Sequence, residues 1–393
     1  MYFKNYLFSI LFSLFFIFNL SAQDENGYEF KMIKELKTTP VKNQSRTSTC
    51  WSFALTSFVE TEAIRKGKGV HELSPMFTVY NAYHYKANRY IRLKRYDIAN
   101  FPPGGALNDV PDMLKIYGAI PNSVYNGLQY GSDTHNHSEL ARVLSAYLES
   151  VSTKRSWDDQ SKSYKEVSYV SPMWEKGFRA LLGTWLGTPP DSFEYQGKIY
   201  TPKSFAKFLD FNPDDYILLT SFNHFPFYTD FVLEVPDNWS QAKAMNIPLA
   251  DLRSIIKNSI EKGYTVAWAS DMGDKFTGRQ NNVWTLPKED VSKMDKEEKK
   301  AFLNAPVEQR LVTQEFRQAG YDSFITTDDH AMLITGMATD QMDNLYYYVK
   351  NSWGTNGKYR GYEYVSESFV LYKTLSIYVH KDVIPKQIMK KIN

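Results

Sequence analysis

Apolar and polar residues follow two different periods along this chain, and the two periods mark where its candidate chemistry sits. Apolar side chains fall at Trp51, Ala54, Leu55, Phe58, Val59 and Ala63, the three-and-four spacing of a helix. Ser48 or Thr49 can cap its start, and Gly67, after Arg65 and Lys66, can end it. Far along the chain, the run from Ala331 to Gly336 is short, apolar and strand-like. The run from Leu345 to Asn351 alternates and is rich in strand formers. The residues between, Thr339 to Asn344, have turn chemistry, so the pattern predicts an antiparallel hairpin. With the turn centred between Asp340 and Gln341, His330 falls opposite Asn351. Directly opposed side chains stand about 5 Å apart on one face. The charged stretch 287–320 has helical spacing and predicts a solvated pair of surface helices, which can also border a cleft because it runs into His330. Pro102-Pro103-Gly104-Gly105 is a strong breaker cluster.

The first residues break from both periods. One early lysine, Lys4, precedes a Leu/Phe/Ile run that ends in Leu20-Ser21-Ala22-Gln23. This is the layout of a secretory signal peptide over 1–22, and its apolar core is short for a spanning helix, which needs roughly 20 residues. The expectation is an exported protein, periplasmic or secreted, with no stable membrane anchor after cleavage. Residues 23–393 are long for one simple core and predict one elaborated domain or two lobes. A net charge of +2 points neither to nucleic acid nor to a strongly acidic partner. The 28 Tyr and 25 Phe fit large packed cores or a peptide- or sugar-facing surface, without choosing between them.

Cysteine usage narrows the chemistry. The chain has a single cysteine, Cys50, so it has no internal disulfide. The residues before it, Ser45-Arg46-Thr47-Ser48-Thr49, are polar, which favours a reactive thiol over a small buried hydrophobe. In the first turn of a helix, unpaired N–H groups and the helix dipole favour the thiolate. A thiolate nucleophile usually needs a histidine. Of His71, His84, His135, His137, His224, His330 and His380, only His330 has so well placed a polar partner, Asn351. Trp353 would shield that hydrogen bond from water, or simply pack. His135-Asn136-His137 lacks a third metal ligand at a recognisable spacing, so no metal or other cofactor is expected.

Three segments carry a family resemblance. Gln44-Ser45-Arg46-Thr47-Ser48-Thr49-Cys50-Trp51-Ser52-Phe53-Ala54 looks like the active-site segment of papain-family cysteine peptidases. Asp329-His330-Ala331-Met332 and Asn351-Ser352-Trp353-Gly354 resemble the other two segments, in the right order. Papain and the cathepsins separate Cys and His by roughly 130–150 residues, whereas the gap from Cys50 to His330 is about 280. The likeness is therefore better to the bleomycin hydrolase/aminopeptidase C branch, in which large insertions separate the same motifs. Thr188-Pro189-Pro190, Tyr200-Thr201-Pro202-Lys203-Ser204-Phe205 and the segment from Val266 to Gly273 also resemble that branch. The resemblance implies an α+β, papain-like two-lobe fold: a helical lobe with the Cys helix and an antiparallel β lobe with His and Asn. It implies insertions within about 80–180 and 287–320.

By the same resemblance, Cys50, His330 and Asn351 would be the catalytic residues, and Gln44 would supply a side-chain donor to the oxyanion hole beside the Cys50 N–H. Gly104 and Gly105 would line the substrate groove, with Trp353 nearby. Ser48-Thr49 stands where a Gly-containing pair is common. The branch forms hexameric barrels whose C-terminal arm blocks the cleft and enforces aminopeptidase action. A homo-oligomer is one expectation, although no long arm follows the last expected helix of this chain. The implied activity is hydrolysis of a peptide substrate through a thioester at Cys50, by an aminopeptidase. An endopeptidase with the same chemistry, a non-catalytic peptide-binding protein on the same fold, and another Cys-His acyltransferase are the alternatives.

Overall fold

The computed structural model describes residues 27–93, 101–152, 155–158, 160–166 and 171–392. The expected signal peptide, 1–22, lies outside the described residues. In chain order, β1 (Lys31–Glu35) leads to α1 (Cys50–Arg65), α2 (Pro75–Leu93), α3 (Asp109–Tyr117) and α4 (Ser138–Ser152). A hairpin of β2 (Arg155–Asp158) and β3 (Ser163–Glu166) precedes α5 (Met173–Leu186). A second hairpin, β4 (Phe193–Tyr195) and β5 (Lys198–Tyr200), precedes α6 (Pro202–Leu209). Then come β6 (Tyr216–Thr220), β7 (Asp230–Val232), β8 (Lys243–Asn246), α7 (Leu249–Lys262) and β9 (Val266–Ser270). The last part holds β10 (Gly278–Gln280), β11 (Val283–Thr285), α8 (Lys296–Leu303), α9 (Gln314–Asp322), β12 (His330–Thr339) and β13 (Leu345–Lys350). It closes with β14 (Tyr362–Ser366), α10 (Glu367–Lys373), β15 (Thr374–His380) and α11 (Lys386–Ile392).

One sheet organises the molecule, in the order β10-β11-β14-β13-β12-β9-β15-β6-β8-β7, with β1 also on β12. It is mainly antiparallel, with parallel pairs β11·β14 and β6·β8. The apolar run of β12 is buried on both faces. Ala331 and Leu333 join the core of the helical lobe with Trp51, Leu55 and Phe58. Met332 and Ile334 join a second core with Leu252, Ile255 and Trp268. Because both faces are covered, this strand shows no polar alternation.

Helix α1 is buried almost throughout, polar residues included. Glu60 accepts from Lys42 Nζ and from the Leu73 N–H, both at 2.7 Å. Glu62 is held by Arg65 and by the Tyr216 hydroxyl at 2.7 Å. Buried carboxylates survive only when paired in this way. The expected side-chain cap is not made: Thr49 occupies the cap position but its Oγ1 bonds Thr47 Oγ1 at 2.6 Å. Ser48 has φ +54°, the left-handed conformation that glycine adopts without steric cost.

The hairpin exists, but its register differs from the expected one. Thr339 pairs with Leu345, so the turn is centred on Met342, and a bulge lies between Ile334 and Gly336. Asp340 sets this centre by accepting from the N–H groups of Met342 and Asn344, both at 2.9 Å. Extending the observed pairing of Leu333 with Lys350 would set Asn351 opposite Met332, not His330. His330 pairs with Ser270 of β9 instead. The stretch 287–320 does supply two short helices, α8 and α9. The second is not a solvated surface helix, because Arg317 and Gln318 are buried. Arg317 donates to the carbonyls of Ser221 (2.7 Å) and Leu371 (2.8 Å).

Candidate active site

Two elements bring the site together. The N-terminus of α1 packs against the start of β12, and this sets Cys50 beside His330 in one depression. Lys350, next to Asn351, ties the end of β13 to the same helix. Its Nζ reaches Ser57 Oγ at 3.1 Å and Thr39 O at 2.8 Å. The depression, open to solvent, has a free space of about 830 Å³ and is walled by Gln44, Cys50, Gly104, Asp237, His330 and Trp353. A narrow apolar crevice starts at Cys50 and His330 and runs between Leu107, Leu218, Leu233, Val235 and Leu375.

His330 Nε2 lies 2.9 Å from Asn351 Oδ1. The side chains meet without strand pairing because Asn351 lies just beyond the end of β13. Asn351 Oδ1 also accepts from the Ser352 N–H at 2.8 Å. An oxygen facing the ring makes Nε2 the protonated nitrogen and leaves Nδ1 as the free base. Trp353 stacks on the imidazole, with ring centroids 4.8 Å apart and planes 25° from parallel.

Cys50 keeps partial exposure on the cleft, yet the walls around it push its thiol up to about 12 by desolvation. Backbone hydrogen bonds from Ala331 and Trp51 oppose that rise, whereas Asp237 and Asp328 add to it. His330 is held down at about 4, first by burial and then by Arg279, against the Asn351 hydrogen bond. Each penalty applies to a lone charge. Moving the thiol proton to the imidazole creates two opposite charges side by side, whose attraction offsets the desolvation. The two groups then titrate as a pair.

Gln44 is buried, and its Oε1 accepts from Ser352 Oγ at 2.7 Å. Its backbone N–H donates to Ser352 O at 2.8 Å. With the oxygen so occupied, the Gln44 NH₂ is the end available to donate into the depression. Within the first turn of α1 the Ser52 and Phe53 N–H groups donate to the Thr49 carbonyl, at 2.9 and 3.3 Å, so they are not available to a ligand.

Gly104 and Gly105 line the cavities, but the groups pressed against them belong to this chain. A Cβ on Gly104 would lie 2.0 Å from the Asp237 carboxylate. One on Gly105 would lie 2.6 Å from Asp109 and 2.8 Å from the Trp51 ring. Asp237 accepts a hydrogen bond from the Gly105 backbone, and its own N–H donates to Asp328 at 3.2 Å. Burial, then Asp237, pushes Asp328 up to about 7. Asp329 accepts from the Met272 N–H at 3.2 Å. Neither aspartate bonds to His330. His135 and His137 stand apart from this site, in the helical lobe, with ring centroids 6.2 Å apart. Among the described residues no group of three His, Cys, Asp or Glu side chains gathers as a metal site.

Three contributors were missed from the sequence: Asp237, Ser352 and Glu363. Asp237 lies in an irregular segment far from any motif. Glu363 falls in an alternating strand where a carboxylate reads as solvent-facing, yet it is 2% exposed. Ser352 sat inside a motif, and only its contact with Gln44 distinguishes it.

The model of the Peptidase C1-like family matches residues 17–393. Aminopeptidase C of Lactobacillus delbrueckii subsp. lactis is 23% identical, over 91% of this chain and 82% of its own length. The mitochondrial cysteine proteinase 1 of Saccharomyces cerevisiae is 24% identical, over 94% and 80%. The crystal structure of PepW from Lactobacillus rhamnosis superposes with a TM-score of 0.71 at 20% identity, covering 92% of this chain and 84% of that one. That likeness carries the α+β fold.

Proposed function

The chain belongs to the Peptidase C1-like family, and from that premise we propose that this cysteine peptidase is an aminopeptidase with Cys50 as nucleophile, His330 as base and Asn351 orienting the base. The observation that carries the chemistry is the cavity shared by Cys50, His330 and Gln44, backed by the 2.9 Å contact from His330 to Asn351. Cys50 Sγ attacks the scissile carbonyl after giving its proton to His330 Nδ1. Gln44 and the Cys50 N–H hold the oxyanion. His330 then protonates the leaving amine and activates water against the thioester.

Two things support the exopeptidase reading. Relatives of nearly the same span are named Aminopeptidase C. The Asp237 segment also lies against Gly104 and Gly105, where a longer substrate would have to run, and leaves a recess lined by Leu218, Leu233 and Val235. The Asp237 carboxylate, on the wall of the depression beside Cys50, suits the protonated amine of a substrate N-terminus. A peptide with a free N-terminus and its N-acetylated form separate the two modes. Stepwise loss of residues from the free peptide, with the acetylated one spared, is the expected outcome; internal cuts in both mean an endopeptidase. Turnover surviving in Cys50→Ala would sink the nucleophile. The apolar leader pattern of 1–22 supports export. A mature N-terminus near Gln23 on protein recovered outside the cytoplasm tests it, and an intact Met1 there counts against it.

A further inference from the structure

An asparagine amide can turn either end toward an imidazole, and only one end suits a base. For His330 Nδ1 to be free to take the Cys50 proton, Asn351 must present its oxygen to Nε2. The Ser352 N–H holds that oxygen from one side. The amide nitrogen is held from the other: Asn351 Nδ2 donates to Glu363 Oε1 at 3.3 Å. The arrangement has a cost, since a carboxylate taken out of water loses its hydration even when it is paired. Glu363 sits mid-strand in β14, opposite Val349 of β13. A hydrophobic residue there would suit the sheet at least as well.

The remaining contacts of Glu363 also bear on the imidazole. Its Oε2 accepts from Trp284 Nε1 at 2.5 Å, and its Oε1 takes Arg279 Nη2 at 3.1 Å. The Arg279 guanidinium lies over the rings of Trp284 (4.7 Å) and Trp353 (4.8 Å), and Trp353 covers His330. A cation and an anion thus stand behind the base, and their effects on an imidazolium have opposite signs.

We propose that Glu363 is a positioning residue for His330, fixing the Asn351 amide and balancing Arg279 so that the imidazolium can form. The proposal rests on the reading of His330 as the base. The other titratable or charged groups around His330 are Cys50 from α1, Arg46 from the segment before α1, Asp237 from the segment before β8, Asp271 after β9, and Asp328 and Asp329 from its own segment. Asp271 pairs with Lys373 at 3.4 Å, and Asp328 and Asp329 accept from backbone N–H groups. None of these contacts changes when Glu363 is replaced, so its effect on the pH profile can be read alone.

Glu363→Gln keeps the shape and one acceptor but deletes the charge and leaves Arg279 unopposed. The expected result is a fall in kcat of roughly ten-fold, with KM within about two-fold. The alkaline limb of kcat/KM should move down by about half a unit to one unit, because the imidazolium gives up its proton sooner. Arg279→Met should move the same limb up, and the double variant should bring it back toward wild type. Limbs unmoved in both single variants, or moved in one direction by both, overturn the proposal, even if kcat falls together with thermal stability. If Glu363→Gln does not fold, Arg279→Met on its partly exposed side chain decides alone. His330→Ala distinguishes the layers. Turnover surviving there removes the base and this proposal together. A dead His330→Ala beside an unaffected Glu363→Gln removes only the proposal.

Discussion

Gln44 offers the sharpest test of the site, because its orientation is set by one contact that can be removed separately. Gln44→Ala deletes the side-chain donor proposed for the oxyanion. Loss of one such donor typically raises the barrier by about 2.7–4 kcal/mol, a factor of about 10²–10³ in kcat. The geometry adds a second, smaller step. Ser352 Oγ holds Gln44 Oε1 at 2.7 Å, while the backbone bond from the Gln44 N–H to Ser352 O, at 2.8 Å, stays in any Ser352 variant. Ser352→Ala therefore frees only the amide to rotate, which forfeits about 0.5–1.5 kcal/mol, roughly three- to ten-fold in kcat. Steady-state turnover of a short peptide amide with a free N-terminus reads both effects. The rate of Cys50 alkylation by iodoacetamide is the control, since that reaction builds no oxyanion and should be little changed in either variant. Wild-type kcat in Gln44→Ala would refute the assignment. So would alkylation slowed in step with turnover, which would mean that the thiol itself had been disturbed.

Three further outcomes follow from buried groups. The folded-state carboxyl of Asp328 is raised to about 7 from an ordinary value of 3.8, so the folded state holds its proton to higher pH than the unfolded chain. Stability should fall as pH rises from about 4 to about 7, and Asp328→Asn should flatten that slope and gain about 1–2 kcal/mol above neutrality in urea titrations; an unchanged slope counts against it. Arg317, fully buried, donates to the backbone carbonyls of Ser221, Leu371 and Thr374 and thereby ties two distant segments together, so Arg317→Met should cost about 3 kcal/mol or more by stranding those acceptors, read as a lower urea midpoint. Ser48→Gly removes a left-handed serine at the start of the Cys50 segment and should stabilise by up to about 1 kcal/mol, with a lower melting temperature as the contrary result.

The helix of Cys50 was legible because its apolar spacing and its ending in Arg65, Lys66 and Gly67 are local properties. The pairing of His330 with Asn351 was also legible, but for an imperfect reason. A turn centred between Asp340 and Gln341 would pair the two residues, whereas the turn is centred on Met342 and Gly336 lies beside a bulge, so strand register does not bring them together. They meet because Asn351 stands past the strand end, where the backbone is free to turn its side chain toward the ring. The helical pattern of 287–320 was correct for α8 and α9 and misleading about solvent, since periodicity does not report what covers the polar face.

By itself the sequence determined the kinds of chemistry available: one thiol at a helix start, a histidine and an asparagine on neighbouring segments, and a glutamine six positions before the thiol. Those follow from residue identity and short-range spacing, which folding does not alter. Only the tertiary structure decided which groups surround them. Asp237 comes to rest on Gly104, Ser352 on Gln44, and Glu363 turns inward behind Asn351 because distant strands and loops pack there. Burial and charge at a site are sums over neighbours from the whole chain, so the state of Cys50 and His330 belongs to the fold rather than to their motifs.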